Sequence, residues 1–594
     1  MKLRACLPSA GWAAIALMSF GTGAAIAYAA DSPLQSQLAA APRVPLPGEV
    51  DITHCVVLAA VGQSLAPEDM KAYEEAQPPL WDDLGSLSYP INTKSADAQK
   101  YFDQGLRLAT NFNHAEARRA FRKAQSLDPD CAMCFLGEAL ILGPNINVPM
   151  DPAANAPAIV ALRKAQALSS RVPEKERELI EAVATRYSED TNADRNTLNA
   201  AFADATAALS DKYPDDLELA VLAAEAGMDT QPWDYWQPGG KEPKGRTADV
   251  QRRLAGVLAK KPDDAMAMHL YIHLVEASDR PERAERYADR LAALMPGAGH
   301  IVHMPSHIYY RVGRYTDSLK SNEAASKVDE TYLAETGAVG VYPLGYYSHN
   351  VHFVLVSAQL LGDSKTVLAE ADKLDKFLTN EVATAIPIVQ PVKAAPYFAW
   401  AQYAEPDAIL AKAEPAGAPP YITSMWHYAR GVALAEKKDP SGARAEADAI
   451  HKIAQETDWS VHDAWGIPAL SVLQVAEDVV RARAAQAEND VGGSIAFWKK
   501  AAETEDTIPY MEPPYWYYPV RQSLGAALLK NGQPAAAAKE FVAALHRARS
   551  SAWALFGLQQ AAKAQGDTAA ETKAADELSK AWKGDPGMLT LERL

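Results

Sequence analysis

Large apolar, small and polar residues alternate in residues 97–131 in the pattern expected for two antiparallel helices. The segment reads DAQKYFDQGLRLATNFNHAEARRAFRKAQSLDPDC. Gly105 and the alanines of the second stretch are small enough to let two helices approach closely, and Phe121 is large enough to fill the space between them. Pro129 predicts the end of the second helix, because proline cannot continue it. Asp97 is the expected cap of the first helix.

The same arrangement returns in residues 518–551, and Gly566 follows Gly532 by 34 residues. The matching positions of this second copy are Gly525, Gly532, Ala537, Phe541 and Ala544. Both segments resemble the tetratricopeptide repeat (TPR), a helical hairpin of 34 residues. The resemblance implies an all-α fold, a right-handed TPR-like α-solenoid of stacked hairpins, with roughly ten repeats along the chain.

Insertions rich in proline, tryptophan and tyrosine separate the repeats. They read DTQPWDYWQPGGKEPKG, ETGAVGVYPLGYY, AIPIVQPVKAAPY and TIPYMEPPYWYYP. Each could brace the solenoid as a loop between hairpins, or cover its groove as a lid.

Charge narrows the set of partners. The 594-residue chain has a formal net charge of −17 and no dense run of lysine and arginine. Nucleic acids and anionic membranes require basic patches, so neither is an expected partner.

The first 29 residues, with basic Lys2 and Arg4, an apolar stretch and Ala27-Tyr28-Ala29, predict a secretory signal peptide. No later run is apolar and long enough to predict insertion into a membrane after cleavage. We therefore expect a periplasmic or secreted bacterial protein.

Cleavage would leave three cysteines. Cys131 and Cys134 form a C-x-x-C pair, which in an oxidising compartment is expected to be a disulfide, with a metal site as the alternative. The sequence assigns no role to Cys55.

Histidines give the candidate site. His269 and His303 are 34 residues apart, as are His273 and His307. In TPR proteins the first helix of each repeat lines the concave groove, and the resemblance places histidines of three consecutive repeats at those inward positions. The predicted ligands are His269, His273, His300, His303, His307, His349 and His352.

Imidazoles at four-residue spacing share one helical face and can bind one ion together. Sites of imidazole without thiolate suit copper, zinc, iron or nickel, and the expected export together with nearby tyrosines favours copper. Glu138 or Glu225 could add a carboxylate, which would favour iron or zinc. Histidines in a groove could also hold a peptide or a small ligand, or be purely structural.

Other catalytic motifs are absent from the sequence, including a P-loop, G-x-S-x-G, H-E-x-x-H and C-x-x-C-H. Two functions remain. The first is a metal-handling protein or a metalloenzyme, an oxidoreductase more than a hydrolase, with Glu276 and Tyr310 as catalytic proton-handling neighbours. The second is a metal-free interaction scaffold that binds a partner peptide in its groove.

The segments YFDQGLRLATNFNHAEARRAFRKAQSLDPDCAMCFLGEALILGPNIN and HLYIHLVEAS…HIVHMPSHIYYRVGRY resemble a group of exported bacterial TPR proteins. This resemblance implies the fold and no activity. The expected organisation is a signal peptide (1–29), an N-terminal extension (30–96), an array with the histidine-lined groove (97–380), a linker or insertion (381–420) and a C-terminal array (421–594).

Overall fold

The computed structural model describes residues 66–594, so the expected signal peptide and Cys55 lie outside the described residues. Over this range the fold is all-α and TPR-like: helices pack pairwise as hairpins, and the β pairing found is an isolated bridge between Trp236 and Pro243. Among these residues no helix is both long and apolar enough to cross a bilayer.

Two compact units divide the described chain: 66–308 with 324–347, and 309–323 with 348–594. The helices α1 to α12 are Pro67–Glu75, Ala96–Thr110, His114–Leu127, Ala132–Ile141, Asn155–Leu168, Glu174–Ala184, Arg195–Lys212, Leu217–Met228, Thr247–Lys260, Ala265–Glu276, Glu285–Leu294 and Gly299–His303, all in the first unit. Helices α13, Pro305–Val312, and α14, Tyr315–Thr336, each contribute residues to both units.

The second unit continues with α15 to α28, which are Ser348–Leu361, Ser364–Phe377, Asn380–Ala385, Gln390–Tyr403, Pro406–Leu410, Pro420–Glu436, Pro440–Glu456, Ser460–Ala464, Ala469–Ala487, Val491–Glu505, Val520–Lys530, Pro534–Arg547, Ala552–Gln565 and Thr568–Ala581. A π-helical turn spans Tyr342–Tyr347. Short 3-10 turns are Pro152–Ala154, Ser169–Arg171, Pro281–Ala284, Pro387–Val389 and Pro586–Met588.

These units differ from the ranges expected from the repeats. Residues 381–420, expected to be a linker or insertion, contain α18, whose buried residues pack against α16 and α20 within the second unit. The extension before residue 97 contributes α1 and a stretch that is bonded to α2, where the Trp81 amide donates to Gln104 Oε1 at 3.0 Å. The cap of α2 is Ser95 rather than Asp97, because the Ser95 hydroxyl accepts from the Ala98 amide at 3.1 Å.

Close helix packing depends on glycines that face an aromatic ring. A Cβ atom at Gly105 or Gly137 would lie 2.5 Å from the ring of Phe121, which is 1% exposed. In the second unit, Gly525 and Gly557 approach the ring of Phe541 in the same way. Because protein interiors are close-packed, a side chain at these positions would force the helices apart.

The substitution Gly105→Ala tests this packing. We expect it to lower the free energy of unfolding by about 1–3 kcal/mol, since the added methyl group overpacks the contact with Phe121. Gly256→Ala is the matched control, because an exposed helical position with open space around it should gain up to about 1 kcal/mol from the same change. Urea unfolding followed by circular dichroism measures both; equal effects would contradict the packing role of Gly105.

Candidate functional site

Helix α10 carries His269, His273 and Glu276 on one face. The helix begins after Asp264, whose side chain accepts from the Ala267 amide at 2.9 Å and so caps it. Its residues from Met266 to Glu276 are all buried. Spacings of four and three residues therefore direct two imidazoles and a carboxylate to the same buried side.

Helices α12 and α13 carry His300, His303 and His307. The repeat pattern predicted a single helix here, but Pro305 has no amide hydrogen to continue the ladder, and the helix is interrupted at Met304. The Met304 amide still bonds to the His300 carbonyl at 3.0 Å, and the His307 amide bonds to the Met304 carbonyl at 3.2 Å, so hydrogen bonds continue on both sides of the interruption. The three histidines consequently remain neighbours.

The five imidazoles form a closed ring, which we call the five-histidine cluster: His269, His273, His307, His303 and His300. Successive ring centroids lie 5.0, 5.3, 4.7 and 5.6 Å apart, and 4.9 Å separates the last from the first. Residues from two neighbouring repeats thus meet in one small volume.

Hydrogen bonds fix the ring orientation of three of these histidines. His269 Nδ1 donates to the Thr110 carbonyl oxygen at 2.9 Å. His273 Nδ1 and His307 Nδ1 donate to the two oxygens of Glu276, each at 2.7 Å. A carbonyl and a carboxylate can only accept, so the hydrogen is on Nδ1 in each ring and Nε2 of a neutral ring presents a lone pair.

The lone pairs converge. His269 Nε2 lies 3.2 Å from His300 Nε2, and His303 Nε2 lies 2.8 Å from His307 Nε2. His273 Nε2 is buried without a hydrogen-bond partner. One ligand nitrogen each from His269, His273 and His300 can be chosen so that all three lie within 4.8 Å of one another.

This geometry fits a metal ion. Two nitrogens bound to the same tetrahedral ion at about 2.1 Å lie about 3.4 Å apart, which small side-chain rotations would reach from the observed positions. Without an ion, His300 could donate to His269, but His273 Nε2 would remain a buried acceptor without a donor. Such groups are rare in folded proteins because each carries a desolvation cost.

Burial and neighbouring charges decide the protonation states. Burial lowers the pKa of His269 and His300 well below the usual value, and adjacent imidazoles lower it further. Burial also lowers the pKa of His273, although Glu276 opposes this shift. Burial by itself would raise the pKa of Glu276, but the charges of His307 and His273 and their hydrogen bonds outweigh it and hold that pKa far below its usual range. Glu276 is therefore an ionised acceptor between two rings.

The five histidines are at most 1% exposed, whereas the repeat pattern placed them in an open groove. Three aromatic rings cover them. Phe112 lies 4.4 Å from His269 and 5.4 Å from His300, and Tyr346 lies 4.7 Å from His300. The third ring is that of Trp233, 5.2 Å from His273.

Two of these covering residues have left-handed backbone. Phe112 has φ of 52° and Trp233 has φ of 63°, where side chains other than glycine cost about 1–2 kcal/mol. Strain of this kind persists where surrounding contacts enforce it, and it is typical of functional sites. Trp233 belongs to a Trp-rich insertion that also braces α10, since Trp236 Nε1 donates to the Leu274 carbonyl at 2.6 Å. The insertion therefore both braces and covers.

Sequence reasoning missed Phe112, Trp233 and the Thr110 carbonyl as parts of the site. The cluster of aromatics in the insertion was a signal for Trp233. No sequence signal identifies Phe112, because the left-handed turn that ends α2 usually takes a glycine and here holds a phenylalanine.

The other predicted site residues lie in the second unit. Tyr310 is buried, its hydroxyl has no hydrogen-bond partner, and its ring packs edge-on against Phe353 at 5.8 Å. His349 and His352 lie on α15. His352 has no hydrogen-bond partner on either ring nitrogen, and burial lowers its pKa to about 3.

A disulfide joins Cys131 and Cys134 at the start of α4. Glu138, considered as an additional ligand, instead accepts from Arg118 Nε at 3.1 Å and from Gln125 Nε2 at 2.8 Å. Glu138 is thus a buried partner in an ion pair with Arg118.

Comparison with known proteins gives similarity of fold. No protein-family model and no curated protein matches the chain. Among solved structures, a human IFIT1 dimer with m7Gppp-AAAA is similar at 12% identity and a TM-score of 0.32, covering 90% of this chain and 95% of that one.

Two further matches are yeast Tom70, at 12% identity and a TM-score of 0.26, and the P58(IPK) TPR domain, at 14% identity and a TM-score of 0.21. The yeast protein covers 82% of this chain and 93% of its own length, and the TPR domain covers 82% and 100%. At these identities the likeness concerns the helical fold alone.

Proposed function

We propose that the protein binds transition-metal ions through the five-histidine cluster. The observation that carries this proposal is the convergence of nitrogens from His269, His273 and His300 to within 4.8 Å, with an unpartnered Nε2 among them. His303 and His307, whose Nε2 atoms lie 2.8 Å apart, are the proposed ligands of a second ion. His349 and His352 stay predicted ligands in the second unit.

The donor set narrows the choice of metal. All five donors of the first unit are imidazoles. Cys131 and Cys134 form a disulfide and offer no thiolate, so the cluster does not favour ions that prefer thiolate ligands. Copper, zinc, iron and nickel all suit imidazole. We favour copper on the expected export to an oxidising compartment, with iron or zinc as alternatives.

Glu276 is proposed as a positioning residue. By accepting from Nδ1 of His273 and of His307, it holds both rings with Nε2 directed into the cluster and makes those nitrogens more basic. This is the usual role of a carboxylate behind a histidine ligand. Both carboxylate oxygens are engaged, which favours orientation over the proton-handling role expected from the sequence.

The burial of the cluster is compatible both with metal handling and with catalysis. A bound transition metal with an open coordination position can activate water or dioxygen, so an oxidoreductase activity is compatible with the site. The chain's own residues exclude bulk water, because Phe112, Trp233 and Tyr346 cover the imidazoles. The same enclosure is also compatible with a metal-handling protein that retains or delivers its ion.

The alternative is a scaffold that grips a partner peptide. The TPR-like helical fold fits a protein-interaction scaffold. However, side chains that grip a peptide must reach it, and these histidines are at most 1% exposed. A peptide groove is therefore supported by the fold and not by the cluster.

Metal content tests the proposal directly. Purified full-length mature protein, incubated separately with Cu²⁺, Zn²⁺ or Fe²⁺ and desalted, should retain at least about one ion per chain. The double variant His269→Ala/His303→Ala should lose that ion, whereas His451→Ala/His546→Ala, at exposed positions of the second unit, should retain it. Elemental analysis provides the measurement, and wild-type protein without stoichiometric metal after reconstitution would refute the site.

Glu276→Gln tests the positioning role. The amide can accept from one ring but not from both, so one imidazole loses its orientation, and metal affinity should fall about 10- to 100-fold. Glu446→Gln is the matched control, because Glu446 also accepts from a histidine Nδ1, that of His427, at 2.5 Å in the second unit. Competition with a chromophoric chelator measures affinity and thermal unfolding checks the fold; equal affinities for the two variants would exclude the role.

A further inference from the structure

A separate cavity lies in the first unit beside the five-histidine cluster. It is a cavity of about 200 Å³ between α14, the turn before α12 and the N-terminal extension. Tyr342 lines the cavity, and its hydroxyl accepts a hydrogen bond from the His300 amide at 3.3 Å. The cavity is thus one residue away from the cluster, although no histidine lines it.

Aromatic rings form one side of this cavity. The Trp81 and Tyr332 ring centroids lie 6.0 Å apart with planes at 61°, and those of Tyr332 and Tyr342 lie 5.6 Å apart at 80°. The three rings stand at steep angles to one another, so that both ring faces and ring edges border the cavity. We call them the aromatic wall.

Hydrogen bonds hold the aromatic wall in place. The Tyr332 hydroxyl donates to Glu116 Oε2 at 3.0 Å, and the Tyr342 hydroxyl donates to Asp329 Oδ1 at 2.8 Å. Trp81 Nε1 donates to Glu335 Oε2 at 3.1 Å. The rings are therefore oriented before any ligand arrives, which reduces the ordering cost of binding.

Charge gives the chemistry of the ligand. Asp83, Asp329 and Glu335 line the cavity, and none of its lining residues is lysine, arginine or histidine. Asp329 is 1% exposed and accepts from the Tyr342 hydroxyl at 2.8 Å, while Asp83 and Glu335 are exposed at the rim. A negatively charged cavity with an aromatic side attracts a cation that also has apolar surface.

We propose that this cavity binds an organic ammonium cation. Ring faces attract such cations through their quadrupoles, and quaternary or alkylated ammonium groups are the ligands that aromatic cages recognise. The carboxylates of Asp83 and Glu335 supply the counter-charge at the rim. This site stands on its own observations and does not depend on metal binding at the histidines.

Choline and its uncharged carbon isostere, in which a tert-butyl group replaces trimethylammonium, are the probes, with butylammonium as a primary amine. Titration calorimetry on the full mature chain should show choline or butylammonium binding at least about tenfold more tightly than the isostere, because the isostere keeps the shape and loses the charge. The stronger of the two ammonium probes identifies the subclass.

Variants locate the binding. Trp81→Leu should weaken the ammonium probe about tenfold, whereas Trp465→Leu, a half-buried tryptophan of the second unit, should not. Asp83→Asn should weaken it about two- to fivefold, whereas its exposed neighbour Asp82→Asn, which does not line the cavity, should leave it unchanged. Trp81 is half-buried and Asp83 is exposed, so we expect both substitutions to leave the core intact.

Equal binding of choline and its isostere, or equal affinities for Trp81→Leu and Trp465→Leu, would overturn the proposal. Absence of heat and of a thermal shift with every ammonium probe would do the same. His269→Ala/His303→Ala should still bind the probe, so failure of metal binding and failure of this site give different results.

Discussion

The Glu276 carboxylate bridging two imidazoles is the interaction on which the candidate site depends. Its two oxygens accept from Nδ1 of His273 on α10 and of His307 on α13, each at 2.7 Å. A buried charge is tolerated only when it is paired and hydrogen-bonded, and here two partners from successive repeats satisfy it. The same bonds direct the Nε2 atoms of both rings into the cluster. The hydrogen bonds that stabilise the Glu276 charge therefore also orient the two histidines.

The last residue of α2 and the turn that follows it complete the site. Three successive residues each contribute: the Thr110 carbonyl orients His269, the Asn111 side chain bonds to the Tyr342 hydroxyl and the Ile301 amide, and the Phe112 ring covers the imidazoles. The left-handed φ of Phe112 is the local cost of this arrangement. One turn therefore fixes both the cluster and the wall of the neighbouring cavity.

The cluster and the cavity are neighbours separated by Tyr342, and they differ in chemistry. The cluster is enclosed and rich in nitrogen donors, whereas the cavity is acidic and aromatic. Tyr342 joins them, since its hydroxyl contacts the backbone of His300 on one side and Asp329 on the other. A ligand held against Tyr342 would thus be adjacent to the histidines without displacing any of them.

By itself the sequence determined the all-α hairpin fold and placed His269 and His273 on one face of a helix, because helical periodicity is a local property. It could not determine that the histidines are buried or that Glu276 lies between two of them. Nor could it show that Phe112 covers them. Those features arise when residues more than 150 positions apart, such as Thr110 and His269, are packed together. Only the tertiary structure brings such residues together, because local sequence preferences act between residues that are near one another in the chain.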